Sequence, residues 1–315
     1  MPPPGPRGTA RGGLLSTASS AAERFSCAAA SLLRGEPVAG TATHVRTWLL
    51  LEHSGPWGND ALLDARLPEG LGAELKRRAK THRAKILLVR RARAARDPER
   101  LNVFAAHADP ARPRLEHATV ADLREVLDLD LERFGAGDSS GLQPYHGSLL
   151  CVCTNGRHDA CCAEFGRPVA MALDDAYPEE TWEVSHIGGD RFAGNLVVLP
   201  HGLYYGRLDP EAGVRIAGAH LEGRLDLDHL RGRSSYPMPV QAAEIQLRRE
   251  LGLTGLDEVM VVAVRRDGDV TECTLAAGGV RRVARVRTTP GPMSRLTCKA
   301  HRQNPPPLHH VVLDR

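Results

Sequence analysis

Four cysteines fall within twelve residues of this chain, in the string CVCTNGRHDACC that runs from Cys151 to Cys162. The residues leading up to Cys153 have the pattern of a buried β-strand, and the residues from Cys162 through Leu173 have the pattern of a helix. Because Cys151 and Cys153 are two positions apart on a strand, both side chains point to the same face of the sheet. The loop between strand and helix then returns Cys161 and Cys162 to the end of the strand.

Four thiols this close together favour a metal or redox role over core packing. Downstream, His186 and Asp190 flank two glycines in the segment HIGGD and offer an imidazole and a carboxylate. Thiolates with imidazole suit iron–sulfur clusters or zinc, whereas oxygen-preferring metals are poorly matched. The spacing matches neither a zinc ribbon, nor a Rieske site, nor the C-x-x-C of thioredoxin-type oxidoreductases, so spacing alone leaves the metal undetermined. We interpret Cys27, Cys273 and Cys298 as buried core residues.

Composition excludes several other classes of protein. No apolar run approaches the ~18 residues of a membrane-spanning helix, so we expect no membrane span. Lys and Arg exceed Asp and Glu by only 41 − 38 = 3, and aromatic residues make up 4% of the chain, so we expect no nucleic-acid partner. The N-terminal residues lack the apolar segment of a signal peptide. We therefore expect a cytoplasmic protein whose cysteines are thiols or metal ligands.

The first half of the chain has the alternating pattern of an α/β fold. The predicted strands are 41–53, 85–90 and 100–107, and the predicted helices are 70–83 and 119–134. A glycine- and serine-rich segment, 135–141, is the predicted boundary between two domains. We expect a disordered tail at 1–24, an N-terminal α/β domain at 25–140 and a second domain at 143–315.

After the helix that runs through Leu173, the second half is predicted to continue with strands and a further helix. A strand at 182–186 precedes the HIGGD glycines, and a hairpin turns at His201 and Gly202. A helix at 240–251 ends at Gly252. The remaining predicted strands are 259–264, 270–275, 280–287 and 310–313, the first two joined at Asp267 and Gly268.

The cysteine string and the later segment WEVSHIGGDRFAGNLVVLPHGLYYGRL closely resemble the sucrase/ferredoxin-like family. The segment TATHVRTWLLLEHSGPWG is similar to the start of that family's N-terminal region, so the resemblance covers roughly residues 25–315. It implies that the C-terminal domain of this α/β chain is a thioredoxin-like ferredoxin with added C-terminal antiparallel strands.

The resemblance also implies a set of ligands. Members of the family that hold a 2Fe–2S cluster bind it through two cysteines nine positions apart and two histidines in an H-x-G-G-H segment. On that pattern Cys153, Cys162 and His186 are ligands, and Asp190 stands where the second histidine is expected. Asp190 is therefore the implied fourth ligand, with Cys161 or Cys151 as alternates.

The implied function is electron transfer through a 2Fe–2S cluster, to or from an unidentified redox partner protein, with no catalytic residues. If the protein is an enzyme, we expect an oxidoreductase. Two alternatives stay open: a cluster-free thiol redox protein or enzyme that uses the same cysteines, and a zinc-stabilised binding module. A glycosidase would need two carboxylates facing each other across a sugar, and the acidic pairs here are typical of a solvated helix end. We interpret the remaining polar residues of the cysteine string, Arg157, His158 and Asp159, as residues that shape the loop.

Overall fold

The computed structural model describes Met1, residues 24–93 and residues 100–314. The tail expected at 1–24 lies, apart from its first and last residue, outside the described residues.

A ten-stranded mixed sheet forms the centre of the protein. Its strands lie in the order β10-β9-β8-β6-β7-β2-β1-β3-β4-β5, with β1 parallel to β2, β6 parallel to β7, and every other neighbouring pair antiparallel. The strands are β1 Thr47–Glu52, β2 Ala84–Arg90, β3 Leu101–His107, β4 Arg114–Val120, β5 Gln143–Pro144, β6 Leu149–Cys153, β7 Thr181–Val184, β8 Leu196–Leu199, β9 Leu203–Tyr205 and β10 Leu230–Arg233.

Helices connect these strands and cover the sheet. They are α1 Cys27–Leu33, α2 Ala61–Asp64, α3 Leu71–Thr81, α4 Leu131–Gly135, α5 Ala160–Ala176, α6 Pro210–Leu221 and α7 Met238–Leu251, with short 3-10 helices at Leu123–Asp128 and Asp190–Phe192. Among the residues that the structure describes, no helix is both long enough and apolar enough to cross a membrane.

A second, four-stranded antiparallel sheet follows α7. It consists of β11 Val259–Asp267, β12 Val270–Ala277, β13 Val280–Pro290 and β14 Pro307–Leu313. The apolar side chains Val240 and Leu247 of α7 share a core with Leu275 and Val286 of this sheet, and Cys273 lies in the same core. The predicted α/β class and the added C-terminal antiparallel strands are therefore confirmed.

Strand β6 shows how the large sheet separates two cores. Leu150 and Val152 face α5 and share a core with its Val169. The alternate residues Cys151 and Cys153 face the opposite core, as their two-residue spacing predicts. The thiols at the end of β6 thus lie on the side of the sheet away from the main body of α5.

The large sheet is continuous across the predicted boundary at 135–141. Strand β2 pairs with β7 through two residue pairs, Val89 with Val184 and Arg90 with Glu183. The backbone N–H of Ser185 also donates to the carbonyl of Leu88 (2.8 Å). Both predicted parts therefore contribute strands to one sheet. Whether 25–140 and 143–315 are separate domains stays a prediction.

The helix predicted at 119–134 is wrong. Strand β4 continues to Val120, because it pairs with β3 along its whole length. Asp122 then starts a 3-10 helix, in which its side chain accepts from Arg124 N–H and Glu125 caps in return. A separate short helix begins at Leu131. The helical periodicity of the sequence is shared among three elements because strand pairing, a long-range interaction, outweighs local propensity.

Candidate metal centre

The cysteine string folds as predicted into a strand, a loop and a helix. Asp159 begins α5, because its side chain accepts a hydrogen bond from the N–H of Cys161 (3.0 Å) and so caps the helix. Gly166 allows the helix to approach the strand, since a Cβ there would lie 2.1 Å from the carbonyl oxygen of Cys153. Cys162, in the first turn of α5, is thereby held beside Cys153 at the end of β6.

Two sulfurs and one imidazole form the centre of the site. The Sγ atoms of Cys153 and Cys162 and a ring nitrogen of His186 all lie within 4.8 Å of one another. Both cysteines are 1% exposed, whereas the His186 side chain is 27% exposed. The sulfurs therefore face the protein interior and the imidazole lies toward the surface.

Asp190 completes the group that the sequence predicts. Its carboxylate lies 3.3 Å from the Sγ of Cys162 and 3.0 Å from the Nδ1 of His186, and the residue is 4% exposed. The His186 Nδ1 is buried, and this short distance does not give it a hydrogen bond of good geometry. A buried nitrogen left unpaired beside two sulfurs and a carboxylate is a donor set that fits a metal or an iron–sulfur cluster.

The charges in this group depend on one another. Hydrogen bonds from Cys162 and His186 hold the pKa of the Cys153 thiol well below its usual value, although burial opposes this. The same contact and burial raise the pKa of Cys162. Burial disfavours the imidazolium, but Asp190 and Cys153 raise the pKa of His186 to about 9. The metal-free site thus favours a thiolate, a thiol, an imidazolium and a carboxylate, and a metal would displace the protons.

Buried polar contacts fix the HIGGD loop. Gly188 and Gly189 have φ angles of +103° and +83°, which residues with side chains rarely adopt. The buried guanidinium of Arg231 donates to the carbonyl of Gly188 (2.9 Å) and to the Oδ1 of Asn195 (2.8 Å), and Asn195 donates to the carbonyl of Gly189 (2.8 Å). A Cβ on Gly189 would lie 2.2 Å from the Arg231 guanidinium. Arg231 was not found from the sequence, because it lies 41 positions after Asp190.

The alternate ligands lie elsewhere. Cys151 is fully buried in the core of the sheet and is outside this donor group. Cys161 belongs to a different group of thiols, near Cys27 and Cys298. Neither thiol is within the group formed by Cys153, Cys162 and His186 among the described residues.

His158 is a site residue that the sequence analysis assigned only to loop shape. Its ring stacks on that of His186, with the ring centroids 3.7 Å apart. Its Nε2 lies 3.9 Å from the Asp190 carboxylate, and its side chain is 30% exposed. Its position inside the cysteine string indicates that His158 lies near the site. The string does not predict that the loop turns the imidazole toward His186. The Asn155 side chain sets that direction by accepting the N–H of His158 (3.3 Å).

Comparison with known proteins places the site in a family context. The model of the sucrase/ferredoxin-like family matches residues 38–232. Two curated relatives are named Altered inheritance of mitochondria protein 32. The protein from Eremothecium gossypii is 41% identical over 71 residues, which is 22% of this chain and 21% of the relative. The protein from Meyerozyma guilliermondii is 30% identical over 73 residues, which is 20% of this chain and 26% of the relative. The chain thus matches about a quarter or less of the length of each relative. No solved structure matches.

Proposed function

The chain belongs to the sucrase/ferredoxin-like family, and from this premise we propose that it transfers electrons through a 2Fe–2S cluster held in the centre described above. The observation that carries the proposal is the group of Cys153, Cys162 and His186, whose donor atoms lie within 4.8 Å of one another, with the Asp190 carboxylate beside them. A bound cluster would accept and release one electron at a time. The protein residues that hold the cluster would bind it in both its oxidised and its reduced form.

The four residues differ in exposure: Cys153, Cys162 and Asp190 are at most 4% exposed, whereas the His186 side chain is 27% exposed. The buried thiolates of Cys153 and Cys162 would hold one iron and exclude water from it. His186 and Asp190 would hold the other iron, and the His186 imidazole would reach toward the surface. The partly exposed imidazoles of His186 and His158 then lie where a redox partner protein could approach, so the electron would leave through this side.

Asp190 would set the reduction potential lower than two imidazoles would. Neutral imidazole ligands make a cluster less negative than thiolates do, and adding an electron then costs less. A carboxylate returns one negative charge to the outer iron. We therefore expect this protein to be a stronger reductant than a relative with the full H-x-G-G-H segment.

A second candidate function uses the same sulfurs without a cluster. The Cys153 thiolate lies next to the Cys162 thiol, and such a pair can reduce a disulfide of a partner protein, giving up two electrons and one proton as its own disulfide forms. A zinc-stabilised binding module is the third. All three functions would use the same residues but differ in the metal that is bound: iron, zinc or none. Metal analysis therefore distinguishes them.

The test is iron, sulfide and zinc analysis of the full chain purified without oxygen. We expect about two irons and two sulfides per chain, together with visible absorption, as for a 2Fe–2S cluster. Cys153→Ala and Cys162→Ala should each lose the iron, because a thiolate anchor is removed. Cys273→Ala is the matched control: it removes a buried cysteine from the four-stranded sheet and should keep the iron. Colourless protein with zinc, or equal iron loss in all three variants, would overturn the proposal.

A further inference from the structure

A second group of thiols lies on the other side of the α5 start. The Sγ atoms of Cys27, Cys161 and Cys298 and a carboxylate oxygen of Asp159 all lie within 4.8 Å of one another. The Sγ of Cys298 lies 3.5 Å from that of Cys27 and 3.3 Å from that of Cys161. The Sγ of Cys27 lies 3.7 Å from the nearer Asp159 oxygen. Three cysteines from distant parts of the chain are thus gathered around one carboxylate.

The four residues come from three separate segments. Cys27 is the first residue of α1, Asp159 and Cys161 belong to the start of α5, and Cys298 lies in the connection between β13 and β14. Cys27 and Cys298 lie outside residues 38–232, which match the family model. The expectation that both are simple core residues is therefore incomplete: Cys27 is buried, Cys298 is partly exposed, and both face other thiols.

The spacing of the four donors suits a tetrahedral metal. Zinc–sulfur bonds of about 2.3 Å at tetrahedral angles place neighbouring sulfurs about 3.8 Å apart. The observed sulfur–sulfur separations of 3.3 and 3.5 Å are close to this value and need only small movements, and the Asp159 oxygen lies at a similar distance, 3.7 Å, from the Sγ of Cys27. Three thiolates and a carboxylate leave no open position, which is typical of a structural rather than a catalytic zinc site.

We propose that Cys27, Cys161, Cys298 and Asp159 form a structural zinc site that joins α1 and the β13–β14 connection to the start of α5. Zinc is favoured because soft thiolates dominate the donor set, which disfavours magnesium or calcium. As zinc binds, each thiol that still carries a proton releases it to solvent, and the four S–Zn and O–Zn bonds form without any change in oxidation state.

Hydrogen bonds around the group support this role. The N–H of Cys298 donates to one Asp159 oxygen (2.6 Å), and the N–H of Cys161 donates to the other (3.0 Å). The N–H of Cys27 lies 3.5 Å from the Sγ of Cys298, and the Ser26 hydroxyl lies 3.3 Å from the Sγ of Cys161. Such outer contacts orient ligands and stabilise their negative charge.

The two donor groups are separate although they use consecutive residues. Neighbouring positions on a helix differ by about 100°, so Cys161 and Cys162 point to different sides of α5. Cys161 packs with Cys27 and Ala193, whereas Cys162 packs with Cys153 and the core of the sheet. Zinc bound by Cys27, Cys161, Cys298 and Asp159 would fix the start of α5 and so the position of the Cys162 thiolate.

The experiment measures zinc and iron in the same samples of the full chain. We expect one zinc per chain in the wild type, and its loss in Cys298→Ser and Cys27→Ser, because each removes one of four ligands. Cys273→Ser should keep the zinc, since Cys273 lies in the other sheet. Because iron is counted separately, loss of zinc alone tests this site and leaves the electron-transfer proposal standing.

A second measurement covers variants that fail to fold. Full-length protein carrying Cys153→Ala, which removes a thiolate from the other donor group, is stripped with a chelator under reducing conditions and reloaded with cobalt alone, whose visible spectrum reports tetrahedral thiolate ligands. We expect that spectrum to appear, and zinc to abolish it. Absence of zinc and of the cobalt spectrum, iron bound by these cysteines, or equal zinc loss in Cys273→Ser would overturn the proposal. A Cys27–Cys298 disulfide that persists in protein purified without oxygen would also overturn it.

Discussion

Asp190 is the residue at which this chain departs from the H-x-G-G-H pattern, and its surroundings suit an anionic side chain. Burial alone would raise the pKa of its carboxyl, but the close contact with His186 and the charges of His186 and His158 lower that pKa below its usual value. The buried Asp190 carboxylate lies between the imidazoles of His186 and His158. Asp190, which follows β7, and His158, in the loop between β6 and α5, thus occupy the same small region.

At the scale of residues, iron content distinguishes whether Asp190 or His158 is the fourth ligand. Asp190→Ala should lose most of the iron, because an anionic ligand is removed from a buried site. His158→Ala should keep the iron, since its side chain would only stack on His186. Asp190→His should retain the cluster and raise its reduction potential, because a neutral nitrogen replaces an anionic oxygen. Iron analysis and potentiometric titration measure these outcomes. Iron loss in His158→Ala with none in Asp190→Ala would assign the role to His158.

Sequence reasoning found the site residues that lie close together in the chain or match a motif. Cys153, Cys162, His186 and Asp190 come together as expected. It did not find the contacts of Cys27 and Cys298, because 271 positions separate these two cysteines and no periodicity links them. Non-local contacts depend on how the elements pack, which short-range patterns do not encode.

At the scale of elements, α6 packs against the turn between β8 and β9 through a buried histidine, His220, and a partly buried one, His201. His201 of the turn and His220 of α6 lie with their rings 5.1 Å apart. Burial lowers the pKa of His201 to about 4 and that of His220 to about 3, and the nearby cation of Arg233 acts in the same direction. Asp257 opposes the shift at His201. Both histidines are therefore neutral in the folded protein at neutral pH.

These histidines predict a loss of stability in mild acid. In the unfolded chain they bind a proton below about pH 6.5, whereas in the folded chain they stay neutral down to about pH 4. The unfolded state therefore gains protons as the pH falls, and at pH 5 each histidine costs the folded state about 2 kcal/mol relative to pH 8. His220→Gln should reduce this loss, measured by urea unfolding at both pH values. His301→Gln, an exposed control, should not. Equal pH dependence in all three proteins would contradict the assignment.

Elements with a strong local pattern could be predicted from the sequence. Strands β2, β3 and β6 and helices α3 and α7 lie within a few residues of their expected bounds. Helix α6 was missed, although Asp209 caps it and Pro210 begins it, because two glycines and a histidine interrupt its apolar face. The segment 119–134 failed for the opposite reason: its helical pattern is strong, but β3 holds its first residues in a strand.

At the scale of the whole molecule, the two predicted parts share one sheet at two places. Strand β2 of the first part pairs with β7 of the second, and β4 pairs with β5 beyond the boundary at 135–141. Ser140, within that boundary, is buried and donates from its N–H and hydroxyl to the Glu116 carboxylate. The glycine-rich segment is therefore tied to the sheet at its end.

Limited proteolysis tests how far the two parts depend on each other. We expect a cut near residues 135–139 to leave two pieces that elute together in size-exclusion chromatography, because β2 and β5 each pair across the cut. The ion pair of Arg90 with Glu183 (2.6 Å) adds to that contact. Separation in denaturant serves as the control that cleavage occurred. Pieces that separate without denaturant would instead favour the domains 25–140 and 143–315 as independent units.

The narrow pairing of β2 with β7 has a mechanical consequence. Only the last two residues of β2 pair there, so a load that pulls the two halves of the sheet apart acts on few hydrogen bonds. The chain leaves the β2–β7 pairing at Ser185, whose side chain accepts the N–H of Leu88 (3.1 Å). The next residue is His186. Displacement of β7 relative to β2 would therefore be passed to His186 through a single residue. A partner that twists the sheet on docking would in this way act on the proposed cluster site.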